Sequence, residues 1–453
     1  MRSGHIKISR FNEGLTVFKP DYYLNRGKKV ISDLLDKGIA NSSLADLADK
    51  LYQGGIFKRV FVENENFAHQ YITASDMVKT QPLDTAKNIS VKYTPWVDEM
   101  TLRDKQILVS CAGTVGNTTL VNDSFSGCIG SQEIIRIETS QVPYGFLYAY
   151  LSAPIVNEYI QSMIYGAVVP RISPEELGRL PVLLPEEPKQ QQIHNLIVEA
   201  SKLRVEANKL LKEAQSVFET KIVKKDSCDK YRLVSSQRLK SELRLGGNYF
   251  LSIGDDYERQ ILSGDYKFLK DFATSIFTGG RDKRNYTTKE RGLPFLSNGD
   301  ISSSNPFRSC NYIVKKSVKN NSKIKENMIL TGRVGQDTVG KVYLPFEELI
   351  DTIASDNIIR IQLKNDEDIF YVYAFLSSKA GNEIIRKRKS GVGQPFVTEE
   401  MFYDIPIPCI NENEMALINQ NVKQYRTKID KALKLELEAI NLIENEIEQW
   451  QES

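Results

Sequence analysis

Shifted by 224 or 225 residues, the chain of 453 residues comes into register with itself. A fixed internal period settles architecture before any single motif does, because each copy must fold as a unit. Leu44-Ala45-Asp46-Leu47-Ala48 falls on Leu269-Lys270-Asp271-Phe272-Ala273. Six residues after the last alanine of each block a glycine pair begins, Gly54-Gly55 and Gly279-Gly280. Tyr71 to Met77 falls on Phe295 to Ile301, Ser131 to Ile137 (SQEIIRI) on Ser355 to Ile361 (SDNIIRI), and Phe146 to Ser152 (FLYAYLS) on Tyr371 to Ser377 (YVYAFLS). Asn157-Glu158, Gly166, Pro170 and Pro181 fall on Asn382-Glu383, Gly391, Pro395 and Pro406. The register slips between anchors, where Gly113-Thr114-Val115-Gly116 best matches Gly332-Arg333-Val334-Gly335, and then recovers.

Each copy ends alike. A Pro-rich exit (Leu180 to Pro185; Ile405 to Pro408) leads into a long helical pattern, and proline suits a helix start because its missing N–H is harmless there. From Lys189 to Lys225 the apolar positions are Ile193, Leu196, Ala200, Leu203, Ala207, Leu210, Ala214 and Val217, alternating three and four apart as in a heptad seam. From Asn413 to Trp450 they are Ile418, Val422, Tyr425, Ile429, Ala432, Leu435, Ala439 and Leu442. Helices this long, about 55 Å at 1.5 Å per residue, with so narrow a stripe each need a partner. Lys189 to Lys225 has a net charge of +4 and Asn411 to Ser453 of −4, which favours pairing of the two as an intramolecular coiled coil.

Between the helices, short Val/Ile/Tyr/Phe runs alternate with Gly/Asn/Asp/Ser turns. Gln106 to Ser110, Gly130 to Ile137, Asn327 to Thr331 and Asp356 to Ile361 read as strands. Tyr144 to Ser152 continuing to Ile164, and Phe370 to Ser378 continuing to Lys389, read as two short helices per copy. The expected fold is therefore α+β: two β-rich globules in tandem, each followed by a long helix, the helices pairing antiparallel. The expected divisions are 1–188 and 226–411 for the globules, and 189–225 and 412–453 for the helices.

Catalytic patterns fail one after another. Gly335 to Lys341 matches a phosphate-binding loop until its last position, where Val342 stands in place of the hydroxyl that would bind Mg²⁺. Gly391-Val392-Gly393 opens an extended stretch, not the helix that a dinucleotide or S-adenosylmethionine fold requires. Asn305-Pro306-Phe307 lacks the second proline of an amino-methyltransferase loop. His5, His69 and His194 lie far apart, and the five cysteines (Cys111, Cys128, Cys228, Cys310, Cys409) include no Cys-x-x-Cys pair. A metal site and a disulfide framework are not expected, and a reducing cytoplasm is. Met1 to Phe11 has no apolar run of a signal peptide, and no 18-residue apolar window exists.

The net charge of +2, from 60 Lys+Arg against 58 Asp+Glu, speaks against a DNA binder until it is divided along the repeat. Lys270 to Gly340 carries 13 Lys/Arg and six Asp/Glu, a net +7. Arg281, Lys283 and Arg284 follow the glycine pair at once; Arg308, Lys315, Lys316, Lys319, Lys323, Lys325 and Arg333 come after. Lys379 to Gly391 adds five more cations. Such clusters interleaved with Tyr, Asn and Gln suit phosphate neutralisation and base-edge reading. In the first copy Lys58-Arg59 likewise follows its glycine pair, yet Gly55 to Ser131 is −1.

The duplication, the glycine pairs, the Ser-x-x-Ile-Ile-Arg-Ile strands, the Gly166 and Gly391 turns with their following prolines, and the exits into long helices together resemble the specificity subunits of type I restriction–modification systems, over essentially the whole chain. The resemblance implies two target recognition domains, each reading one half of a split double-stranded DNA sequence. It implies an antiparallel helical spacer holding the readers roughly one to one and a half turns of B-DNA apart and docking two methyltransferase (modification) subunits. Adenine-N6 methylation with S-adenosylmethionine, and ATP- and Mg-dependent translocation and cleavage by restriction subunits, would belong to partners, this chain being non-catalytic. The same architecture serving a methyltransferase of another class, without an ATP-driven motor, is the alternative; a tandem enzyme or scaffold without a DNA role is the more distant one. Lys58, Arg59, Lys283 and Arg284 are the foremost expected DNA contacts, with Arg281, Arg333, Arg171 and Gln394 next. The near-neutral first copy leaves open whether both halves grip DNA equally.

Overall fold

In the computed structural model, residues 20–63, 65–166, 168–223, 231–242, 244–281, 283–318, 320–391 and 393–453 are described. Met1 to Phe11 with His5, the end of the expected first long helix (Lys224, Lys225), Cys228, Asp282, Lys319 and Val392 lie outside them. Contacts divide the chain into two units: Met1–Val205 with Lys431–Ser453, and Glu206–Asp430.

In the first unit a single helical turn (Pro20–Tyr23) precedes α1 (Arg26–Asp36), which is capped by the Asn25 side chain accepting from the Lys28 N–H at 2.9 Å. The strands are β1 (Asn41–Ser43), β2 (Lys50–Gln53), β3 (Ala68–Ile72), β4 (Lys87–Ser90), β5 (Ile107–Ser110), β6 (Thr118–Leu120), β7 (Ile129–Gly130), β8 (Ile134–Glu138) and β9 (Pro181–Leu183). They form an antiparallel sheet ordered β2-β8-β5-β6, a three-stranded sheet β4-β3-β7 whose β3–β7 pair is parallel, and a β1–β9 pair. Helices α2 (Tyr144–Ser152) and α3 (Pro154–Ser162) are separated at Ala153, whose extended backbone (ψ 133°) precedes Pro154 as the residue before a proline requires. The long helix α4 (Glu187–Lys221) follows.

The second unit repeats this plan: α5 (Ile253–Leu262), β10 (Tyr266–Phe268), β11 (Ala273–Thr278), β12 (Tyr286–Thr287), β13 (Gly292–Leu296), β14 (Asn311–Val314), β15 (Met328–Gly332), β16 (Val342–Tyr343), β17 (Ile353–Ala354), β18 (Ile358–Leu363), α6 (Asp368–Ser377), α7 (Lys379–Lys387), β19 (Pro406–Pro408) and the long α8 (Glu412–Glu452). Its sheets are ordered β11-β18-β15-β16 and β12-β14-β13-β17, with β10 paired to β19. Strand for strand this is the first unit's order with β12 added at one edge.

Within the first unit, Ile193 and Ile197 of α4 join Ile440, Ile443 and Ile447 of α8 in the same core as Ile31, Phe146 and Leu151. Lys189, Glu199 and Arg204 pair with Glu446, Lys431 and Glu436 at 3.2, 3.7 and 2.5 Å. Within the second unit, Glu206 pairs with Lys428 at 2.6 Å and Lys221 with Glu414 at 3.1 Å. Lys189 meets Glu446 while Glu199 meets Lys431 further back, and Glu206 meets Lys428 while Lys221 meets Glu414, so in each unit the helices run antiparallel.

Three readings of the sequence need correction. Leu196, Leu210 and Val217 are only half-buried; Ile197, Leu211 and Phe218, one residue on, are buried instead. On α8, Leu435 and Leu442 likewise yield to Leu433, Ile440 and Ile443. The helices follow their natural 3.6-residue period because globular cores press on them, so a strict heptad stripe drifts off the contact. Gly130 to Ile137 is not one strand: a break at 131–133 divides β7 from β8, and the two belong to different sheets. The Gly113–Gly116 and Gly332–Gly335 match is textual only. The Gly113 N–H donates to the Pro170 carbonyl and the Gly335 N–H to that of Pro395, while the Cys111 N–H meets Glu133 as the Arg333 N–H meets Asn357. Gly113 thus corresponds to Gly335, and Cys111 to Arg333.

Candidate nucleic-acid interface

Arg136 and Arg360, the arginines of the two Ile-Ile-Arg-Ile strands, are fully buried. Arg136 donates to the carbonyls of Ile134 (2.9 Å) and Gly130 (2.7 Å). Arg360 donates to those of Ile358 (2.8 Å), Ala354 (2.5 Å) and Ser322 (2.9 Å). Burial pulls the Arg136 guanidinium below its ordinary basicity. The first glycine of each pair faces this group: a Cβ on Gly279 would lie 2.8 Å from Arg360, and one on Gly54 would lie 2.1 Å from Met100 and 3.3 Å from Arg136. Glycine pair and arginine strand are therefore one structural device, and it fixes where the following basic residues emerge.

Those residues emerge at the edge of the second sheet. Phe61 bridges to Ile89 of β4, and Tyr286 of β12 pairs with Ile313 of β14. Ile89 and Ile313 are buried while Phe61 and Tyr286 are exposed, so each unit turns an aromatic outward just after its basic pair. The Arg284 guanidinium lies 5.6 Å from the Phe295 ring centre. The corresponding Arg59 stands near Tyr71, whose hydroxyl is pushed up by burial against the opposing pull of the Arg59 charge. Lys58, Arg59, Arg281, Lys283 and Arg284 are all exposed, and neither Lys58 nor Lys283 forms an ion pair with any described residue.

In the second unit three of the expected arginines converge. Arg281 and Arg284 reach Asp356 at 3.3 and 2.9 Å, and the half-buried Arg333 donates its backbone N–H to the next residue, Asn357, at 2.8 Å. The hairpin closed by the Ser390 and Phe396 bridge packs beside them through Val334 and Phe396, and exposes Gln394. In the first unit the equivalent hairpin, Tyr165 bridged to Arg171, exposes Arg171. Here the position of Asp356 is taken by Gln132, and that of Arg333 by the buried Cys111. Charge counting did not show Asp356 organising the arginines, because its motif reads as plain strand. Nor did it show the exposed aromatics of the first unit, since they carry no charge.

Among the described residues no cluster of three or more His, Cys, Asp or Glu is placed to hold a metal, and no helix is long and apolar enough to cross a membrane. His194 is structural: its Nδ1 accepts the Gly145 N–H at 3.1 Å and its ring meets Tyr144 edge-on.

A duplicated DNA specificity domain is the class this construction fits. The chain matches the family described as type I restriction modification DNA specificity domain over residues 36–213 and again over 265–444. It belongs to that family and is a DNA specificity subunit. Among solved structures it is similar to the S subunit of a type I restriction–modification system from M. genitalium, at 15% identity over 91% of this chain and 95% of that one, with a TM-score of 0.36. It is similar to the HsdS subunit from Thermoanaerobacter tengcongensis at 14% identity over 91% and 96%, TM-score 0.28. A third similar chain comes from work on complex assembly and conformational transition of the type I R-M system, at 13% identity over 91% and 96%, TM-score 0.28. No protein of curated function matches.

Proposed function

We propose that each unit reads one half of a split double-stranded DNA target, and that the paired long helices set the gap and dock two methyltransferase subunits. Restriction subunits join the same complex. The partners supply adenine-N6 methylation with S-adenosylmethionine, and ATP- and Mg-dependent translocation and cleavage. Lys58 and Arg59 in one unit, and Arg281, Lys283, Arg284 and Arg333 in the other, contact phosphates or base edges; Arg171 and Gln394 do so from the hairpins.

The observation that carries this reading is the repetition of one surface: glycine pair, basic pair and outward aromatic at the same sheet edge in both units. The test is the methylated motif of the source genome, together with salt-titrated binding to duplexes carrying it. A motif of two blocks separated by a fixed gap is expected; a continuous motif, or binding without sequence preference, would overturn the reading. Seven residues inserted within α4 should change the gap or abolish activity, and an unchanged gap would remove the helices as the spacer.

A further inference from the structure

The segment that follows the inner sheet strand is bounded alike in both units. It begins after β4 and its buried Ile89, or after β14 and Ile313, and it ends where Thr101 bridges Ile129 or Lys323 bridges Ile353. In the second unit it opens with Lys315-Lys316, both exposed. In the first it is two residues longer and reads Val91-Lys92-Tyr93-Thr94-Pro95-Trp96. Tyr93 is 57% and Trp96 52% exposed, and the exposed Phe67 adjoins them, its carbonyl accepting the Val91 N–H. Lys92 Nζ lies 5.4 Å from the Tyr93 ring centre.

Trp96 is also in the left-handed region, at φ 51° and ψ 41°. A bulky residue adopts this conformation only at a cost and only where its surroundings impose it. Its indole lies over Gly55, where a Cβ would come within 2.6 Å of the ring. The conformation thus holds a half-exposed indole at the start of the loop that carries Lys58 and Arg59. A positive flank with an aromatic face is complementary to nucleic acid, where bases stack on such rings whatever their identity.

We propose that Trp96 is a DNA-contacting residue of the first unit, its indole stacking on a base or wedging at a base step of that half-site, where the second unit presents lysines to phosphate. This rests on the DNA-reading assignment above. It accounts for a net −1 over Gly55 to Ser131 against +5 over the matching Gly280 to Ser355, since stacking needs no excess charge.

Trp450 is the only other tryptophan, so the full chain labelled with 5-fluorotryptophan gives two fluorine resonances, assigned by Trp450→Phe. The chain, assembled with its modification subunits, is titrated with duplex carrying the methylated motif while anisotropy reports binding. The Trp96 resonance should shift on binding. Trp96→Ala should weaken cognate binding roughly tenfold or more and Trp96→Phe restore most of it, with the salt slope unchanged. A Trp96 resonance that stays still while anisotropy shows bound duplex overturns the proposal. So does one that shifts on addition of modification subunits and then ignores DNA, which would make the surface a protein contact. If wild-type complex binds no duplex selectively, the DNA-reading assignment itself fails and takes this one with it.

Discussion

At the third position of two equivalent helices, α1 has Lys28 and α5 has Asp255. Lys28 sits 3.1 Å from the centre of the Tyr22 ring, with Tyr23 and Tyr159 within 6 Å, and its helix buries Ile31 one turn on. Asp255 instead accepts from Arg232, Arg238 and Lys387 at 3.0, 2.5 and 3.1 Å, and the residue matching Ile31 is Glu258, paired with Arg388 and Lys387. Desolvation, with Arg388 adding to it, brings Lys387 down to about 8 despite its acidic partners. One backbone accepts a cation held by aromatic rings in one place and a buried ionic network in the other. The buried arginine against its glycine, by contrast, is the same in both. Where the chain must close two sheets around one geometry the copies agree; where only a surface or a docking helix must be filled, they diverge.

The comparison breaks most sharply at its shared element. Arg136→Ala and Arg360→Ala each strand carbonyls at about 1–3 kcal/mol apiece. Each should cost its own unit about 3–5 kcal/mol, read as the shift of that unit's transition in urea. A large loss in one unit and none in the other would end the equivalence. Next in size, Lys283→Ala with Arg284→Ala should weaken DNA binding by about 1–3 kcal/mol and relax one half-site of the methylated motif. Relaxation of the other half-site, or of both, would contradict the assignment of one unit to one half.

A finer test separates the two surfaces by salt. Lys315→Ala with Lys316→Ala should reduce the slope of log affinity against log salt by roughly 1–2. Tyr93→Ala should leave that slope as it is. Equal slopes for all variants would mean that the units grip DNA by the same means. The smallest effect concerns Cys111, the counterpart of Arg333. Burial pushes its thiol, and that of Cys128, up to about 11. At pH 8 roughly a thousandth is thiolate, so iodoacetamide should modify the exposed Cys409 and spare both until the pH nears 11 or the unit unfolds. Modification of Cys111 at pH 8 would show that its strand end opens.

Much of this was legible in the residues. The 224–225 register showed that one plan is used twice, and because a copied sequence copies its hydrogen-bond ladder the sheets of one unit recur in the other, although their strand order was not readable. The prolines before α4 and α8 and their unbroken apolar rows gave both long helices. The a/d seam failed at Leu196, Leu210 and Val217 because a row of side chains does not say which neighbours press on it. Gly332-Arg333-Val334-Gly335 misled because letters matched where hydrogen bonds did not. Exposed Trp96 was invisible for another reason: an aromatic residue in a sequence reads as core until a positive φ and an open side are seen.

The helix pairs have a consequence for how the chain is made. Residues 206–430 form a complete unit in one unbroken run, but the first unit needs residues 431–453, since Ile440, Ile443 and Ile447 fill its core and Lys37 donates to the carbonyls of Trp450 and Gln451. During synthesis at about 5–20 residues per second, everything the second unit needs has been translated before the first can finish. The front of the molecule must therefore wait, with part of its apolar surface uncovered, for roughly 10–50 seconds of further elongation.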